Sequence, residues 1–460
     1  MSFSLKRRGL GLAAGALAVA ALGAVAVQAY ADPEADSGEA VDPLPRIATS
    51  TDGESLVVGD TGEEFTPRGY NYVRLAPRPS DPEKTFHSTF EPGMYDPERA
   101  DATLAALSAN GHNTVRVFTD PGWGPDSEMG QPHGLGHGAD DNSTGNPEYL
   151  DNVADFVERA AGHGLYVLPS LDVFPQNAHY TDIIGGFDPN QINISGYNLV
   201  YMFDGYVKAR EEFMSVFASE MKERLGPLTS TFLALQFDNE AHFSADEKPF
   251  EVMSGTVKGL DGVEYDMSNV DQRQQAADNS MSVYSERLAA AVRDVDPDMM
   301  TTLGVFTNKA VNKDGFDGFA KCEGCGWDKD FRYPVRLSTL SKESSLDFLS
   351  VHTYPAPGQF TLEESLNSIE WSEIEGPVIN GEFGALRERY GGDVGLAAEA
   401  MRTHQVESCA LGMDGWLFWT WDTDDDATQQ LFFRGNEADG AIDAQLSPAN
   451  RPDPCENEAS

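Results

Sequence analysis

Two glutamates stand where acids are costly unless they have work to do. Glu240 follows the apolar run FLALQFD (232–238), and Glu382 lies at the end of PVINGEF (377–383). Charged side chains that close otherwise apolar strands gather where the chain presents chemistry. A pair of carboxyl groups about 5–5.5 Å apart is the machinery of retaining glycoside hydrolysis: one carries a proton to the leaving oxygen while the other, ionised, attacks the anomeric carbon. Different neighbours must push the two acids apart in proton affinity. An arginine and a tyrosine hydroxyl beside Glu382 would hold it ionised. Burial and a nearby carboxylate would raise Glu240. Other polar or aromatic groups end neighbouring runs: Arg116 in NTVRVF, Asn239 beside Glu240, His352 and Tyr354 in VHTYP, and Trp419 and Trp421 in GWLFWTW. Trp419, Trp421 and Trp123, in the stretch after Arg116, offer flat apolar faces to a sugar ring.

These residues need a scaffold that converges strand ends on one mouth. Eight β-rich runs recur along the chain, at 69–75, 113–118, 165–172, 232–238, 300–306, 346–352, 377–383 and 415–421. Amphipathic helical patterns fall between most of them, at 97–109, 149–163, 205–225, 271–293, 361–370 and 393–411. Several runs are apolar on both faces, as in a parallel sheet covered by helices. Eight such strands with crossover helices predict an α/β fold, a (β/α)8 TIM barrel with an N-terminal β-hairpin and long loops at the strand C-terminal ends. Turn signals at Asp52-Gly53 and Gly59-Asp60 place the hairpin within 46–66. A second hairpin is expected as an insertion in 251–267. No clean helix is expected in 307–345, and no second domain. Strands 4 and 7 of such a ring bring Glu240 and Glu382 face to face across the mouth.

With the motifs in this order, the chain resembles a cellulase-type glycoside hydrolase of clan A, family 5 or a close relative, over roughly residues 46–445. The resemblance implies Arg116 near the nucleophile, Asn239 on the sugar 2-hydroxyl, Glu240 as acid/base, Glu382 as nucleophile, site roles for His352 and Tyr354, and Trp419 as the strand-8 tryptophan. LDVF stands where a histidine often follows strand 3, and Ala241 where a proline often follows Asn-Glu. Both departures bear on substrate and leave the two-carboxylate chemistry intact. The implied enzyme is a secreted retaining β-glycoside hydrolase acting on a β-linked oligo- or polysaccharide of the β-mannan or β-glucan type, without cofactor or metal. A catalytically silent polysaccharide-binding barrel and a transglycosylase using the same carboxylates are the alternatives.

Composition narrows the partners. The 460 residues carry 75 Asp plus Glu against 32 Lys plus Arg, a net charge of -43. Such a surface repels phosphate backbones, so nucleic acid is excluded as a partner, and a monomer acting on a neutral glycan is expected. Residues 1–31 read as a signal peptide: Lys6, Arg7 and Arg8, then an apolar run from Gly9 to Val27, then Ala29-Tyr30-Ala31. The paired arginines suggest the twin-arginine route, and no membrane association is expected after cleavage. Residues 32–45 read as an acidic linker, 46–445 as the catalytic barrel and 446–460 as a C-terminal tail. Four cysteines in an exported chain suggest disulfides, with Cys322–Cys325 and Cys409–Cys455 the favoured pairs. The acidic loop Asp422–Asp426 reads as a solvated surface.

Overall fold

The computed structural model describes residues 41–78, 81–119, 134–136, 142–172, 175, 177–252, 254–316, 330–421 and 431–456. The signal sequence, most of the linker, Trp123, the Cys322–Cys325 pair and the acidic loop at 422–426 lie outside the described residues.

Eight parallel strands close into a barrel: β1 (Arg68–Tyr72), β2 (Thr114–Phe118), β3 (Tyr166–Ser170), β4 (Leu235–Gln236), β5 (Thr301–Phe306), β6 (Phe348–His352), β7 (Val378–Gly384) and β8 (Trp416–Trp419). They run in sequence order around the ring, and β8 pairs with β1. Each coincides with its expected run, β1 starting one residue before it and β7 ending one residue after it. The expected helices are present as α1 (Pro97–Ala109), α2 (Pro147–Gly162), α3 (Asp204–Leu225), α4 (Val270–Val295), α6 (Leu362–Asn367) and α7 (Val394–Ala410). Their starts are marked by side chains that satisfy free backbone N–H groups: Asp96 for α1, Asn146 for α2, Asn269 for α4, Asp393 for α7, and a Thr361–Glu364 capping box for α6.

Several described elements escaped the sequence pattern, among them a helix and a hairpin. The stretch 307–345 does contain a helix, α5 (Leu337–Glu343), too short to show a period. Between β1 and α1, Leu75–Arg78 pairs with Asp81–His87 in a hairpin over the mouth side of β1. The two expected hairpins are present, as Ile47–Thr49 with Leu56–Val58 and as Thr256–Lys258 with Glu264–Asp266.

The two ends of the barrel are filled differently. At the N-terminal end, Ile47 and Leu56 of the first hairpin join Leu168, Leu233, Met300, Phe348, Ile379 and Leu417 in one apolar cluster, which plugs the barrel floor. Toward the C-terminal end the interior turns polar: Asn71, Arg116, Gln236 and Ser350 are all fully buried. Arg116, Asn71 and Gln236 are tolerated there because they bond to one another. The chain's end is anchored as well. Cys409 of α7 is bridged to Cys455, Trp416 Nε1 donates to Asp453 at 3.4 Å, and Asp443 accepts from Tyr70 and Asn110 and bonds His112.

Candidate active site

Arg116 organises the mouth. It sits in β2 in register with Asn71 of β1, is fully buried, and uses its guanidinium on four partners. Nε donates to Gln236 Oε1 (3.1 Å), Nη1 to Asn71 Oδ1 (2.8 Å) and Glu382 Oε1 (2.5 Å), and Nη2 to Asn239 Oδ1 (2.8 Å). A buried guanidinium is stable only with such a full set of acceptors. The sequence signals missed here are Asn71 and Gln236. Each is a lone polar residue in an apolar strand, and that position was itself the clue.

Glu382, on β7, is held from β2 and from the end of β6. Arg116 takes one oxygen, and Tyr354 OH donates to the other at 2.7 Å. His352 Nδ1 lies 3.6 Å from that second oxygen. Only 4% of the residue is exposed. Burial, with the charges of Glu382 and Glu240, pushes the Tyr354 hydroxyl well above the usual phenol range, so it stays a donor. Gly381 makes room for this: a Cβ there would lie 1.9 Å from Ser350 Oγ on β6. Its bulk-free backbone lets β6 and β7 close up where His352 pairs with Glu382.

Glu240 is supplied by a loop. β4 ends at Gln236, and the chain then turns under β5: Gly304 N donates to Asp238 O, and Ala241 N donates to Gly304 O. A Cβ on Gly304 would press within 2.6 Å of Asp238 O, so the turn requires a glycine across from it. Beneath, Asp238 accepts from Tyr284 OH at 2.5 Å and from Arg210 at 3.3 Å. Glu240 itself takes a left-handed backbone, φ 52°, a conformation costing on the order of 1–3 kcal/mol for a non-glycine residue. His242 Nδ1 bonds its carbonyl at 2.7 Å, and the His242 ring stacks on Tyr197 at 4.9 Å. Burial holds His242 down at about 4, so it is neutral and serves as a brace.

The Glu240 carboxyl accepts from His352 Nδ1 (3.2 Å) on one oxygen and from Arg332 Nη1 (2.6 Å) on the other. Arg332 was not anticipated. It lies in the patternless stretch after β5, and no spacing rule marks it. Its neighbours also reverse one expectation. Burial pushes the Glu240 carboxyl up, but the His352 hydrogen bond and the charges of His352 and Arg332 outweigh it and bring it down to about 2. The expected raising of Glu240 is therefore not what this structure holds; the sequence argument set neither His352 nor Arg332 against burial.

The decisive distance is between the two acids. Ligand atoms of Glu240, His352 and Glu382 all lie within 4.8 Å of one another. That spacing would also admit a cation, but Arg116 and Arg332 already neutralise the same carboxylates and would repel one. The carboxyl pair, with Arg116, His352 and Tyr354 hydrogen-bonded to it and Asn239 bonded to Arg116, is an arrangement suited to two-carboxylate chemistry on a glycosidic bond.

The Cellulase (glycosyl hydrolase family 5) model matches residues 62–425. The chain belongs to glycosyl hydrolase family 5. It is a glycoside hydrolase. Among solved structures, it is similar to the endo-1,4-beta-mannanase of Rhizomucor miehei (TM-score 0.58, 13% identity, covering 88% of this chain and 98% of that one). It is also similar to a family 5 mannosidase of the same organism (0.56, 11%, 88% and 97%) and to the beta-mannanase of the blue mussel Mytilus edulis (0.51, 16%, 90% and 98%). At these identities the likeness is one of fold. No curated protein sequence matches the chain.

The family 5 mouth has an aromatic wall beside Glu382. Trp419 ends β8 and joins Val73, Leu75 and Phe118, with Tyr354 and Phe432 against them; its ring meets Phe118 edge-on at 5.7 Å. His87, on the unanticipated hairpin, packs edge-on to Phe118 at 5.2 Å, and burial lowers it to about 4. Trp421 goes elsewhere. Its ring packs edge-on to Tyr70 at 5.0 Å in the main apolar core rather than against the carboxylates. Two residues further along the chain, it has left the strand whose end lines the mouth. Among the described residues no helix is long and apolar enough to cross a membrane.

Proposed function

We propose that this family 5 hydrolase cleaves a β-linked glycan of the mannan or glucan type with retention of configuration. Glu382 attacks the anomeric carbon as Glu240 protonates the departing oxygen. The glycosyl-enzyme so formed is hydrolysed by a water that gives its proton to Glu240. The observation that carries this reading is the carboxyl pair within 4.8 Å, with one member clamped by Arg116 and Tyr354. Those two donors stabilise the carboxylate that attacks and, later, the carboxylate that leaves. Asn239, fixed by Arg116, is suited to the sugar 2-hydroxyl, and Trp419 to the apolar face of the ring.

The mannan class is favoured over glucan because solved structures similar to this one in fold carry the names endo-mannanase, beta-mannanase and mannosidase. Export through the leader at 1–31 fits a polymeric substrate outside the cell, and the Cys409–Cys455 bridge fits an oxidising compartment. A panel of β-1,4-linked manno- and gluco-oligosaccharides with product sizes resolved tests the substrate reading. Turnover of the manno-series at least about tenfold faster in kcat/KM, a difference of about 1.4 kcal/mol, is expected. Equal or faster turnover of the gluco-series would reverse the assignment.

A further inference from the structure

Arg332 reaches Glu240 through a built assembly. Asp330 grips its guanidinium from the opposite side, accepting from Nη2 at 2.7 Å and from Nε at 3.0 Å. The guanidinium carbon lies 4.7 Å from the centre of the Phe306 ring at the end of β5. The backbone is tied as well. Arg332–Tyr333 pairs antiparallel with Phe243–Ser244, in the loop that carries Glu240, and Ala245 N donates to Phe331 O at 2.9 Å. Tyr333 OH then anchors to Gln274 of α4. Two loops from different strands are thus stitched together, and the product of the stitching is one charge-assisted hydrogen bond to the acid/base.

We infer that Arg332, oriented by Asp330, is a positioning residue that biases Glu240 toward its ionised, base-competent form. The inference rests on the acid/base reading of Glu240. Among the described residues, the charged and titratable groups facing Glu240 are Arg332 and Asp330 after β5, His352 on β6 with Tyr354 just beyond it, Glu382 on β7 and His242 on its own loop. In the free enzyme the negative charge of Glu382 opposes ionisation of Glu240 and the positive charge of Arg332 favours it. Once Glu382 is esterified in the glycosyl-enzyme, its opposing charge is gone, and Arg332 favours ionisation of Glu240 against burial without it. Glu240 is then held as the base that the incoming water needs. The cost falls on the first step: a poor leaving group needs a proton that Arg332 discourages Glu240 from holding.

The test uses two aryl β-glycosides of the sugar the enzyme turns over. One bears a 2,4-dinitrophenol leaving group, which departs without protonation, and the other bears phenol, which needs it. For the phenyl glycoside, kcat/KM falls as pH rises through the point where free Glu240 loses its proton. In Arg332→Met that fall is expected at a pH higher by at least ~1 unit, as loss of a paired cation requires, with Arg332→Lys close to wild type and Asp330→Asn between. The dinitrophenyl profile should not move on that side. Because both substrates are read in the same sample, a smaller folded fraction scales both equally. If Arg332→Met keeps the wild-type fall for the phenyl glycoside, the positioning role is wrong. If the wild-type profiles of the two substrates already coincide, the acid/base assignment of Glu240 is wrong.

Discussion

The two carboxylates of the mouth are held by opposite strategies. Glu382 belongs to a strand, β7, and its oxygens are fixed by Arg116 from β2 and Tyr354 just beyond β6. All of these are buried or nearly so, and their positions follow from barrel register. Glu240 belongs to a loop with a strained backbone. It is more exposed, with 23% of its side chain open, and one of its oxygens is fixed from a second loop. The difference suits the chemistry proposed for each. A nucleophile forms and breaks one bond at a fixed point, and rigid strands supply fixed points. An acid/base alternates between two protonation states, and a loop position with a cation held beside it can serve both.

Breaking the strand-held side should cost most. Glu382→Gln keeps the shape and an acceptor for Arg116 but removes the attacking charge, so kcat should fall by at least about 10⁴-fold on every substrate. Uniformity across leaving groups is the informative part, because a nucleophile is needed whatever departs. Glu240→Gln should be selective instead. On substrates with poor leaving groups the loss should be about 10²–10⁴-fold. With dinitrophenyl glycosides bond cleavage should survive nearly intact, and added azide should restore turnover by replacing the base-activated water. An equal loss on both substrate types would erase the distinction between the two acids.

The smallest effect concerns what stands behind Glu382. His404 of α7 stacks on Phe383 at 5.3 Å and bonds Thr353 Oγ1 at 2.9 Å, and burial lowers its proton affinity to about 4. The unfolded chain takes up that proton near 6.5, whereas the folded one resists until about 4. Its contribution to stability is therefore complete above pH 6.5 and is lost progressively as pH falls toward 4, with a slope of up to ~1.4 kcal/mol per pH unit. Urea unfolding of His404→Gln between pH 7 and 5 should show a flatter pH dependence by about that slope. An unchanged slope would mean that the imidazole is not kept neutral by its packing.

Most of the strand-held half of the site was legible in the sequence. Period and apolar runs fix strand order, and order fixes which strand ends meet. Hence Arg116, His352, Tyr354, Glu382 and Trp419 could be named from the ends of β2, β6, β7 and β8, and Glu240 and Asn239 from the end of β4. Trp421 was misjudged because the eighth run was read through to 421, past the end of β8 at Trp419, where the chain had already turned into the core. The loop-held half was not legible in the same way. Arg332 meets Glu240 through a two-residue strand pair between distant loops, and so short a pairing leaves no pattern. The expected shift at Glu240 was inverted as well, since the His352 hydrogen bond and the charges of His352 and Arg332 together outweigh burial. His87 escaped for a related reason: the hairpin that delivers it has no alternating apolar pattern.

Whether these two acids act as a retaining pair is read most directly from the product at the moment it forms. Proton NMR of the first anomers released from a β-linked oligosaccharide, followed before mutarotation, should show the β anomer, as double displacement across carboxyls this close requires. Initial release of the α anomer would mean single displacement by water, and the proposed roles of Glu382 and Glu240 would be wrong.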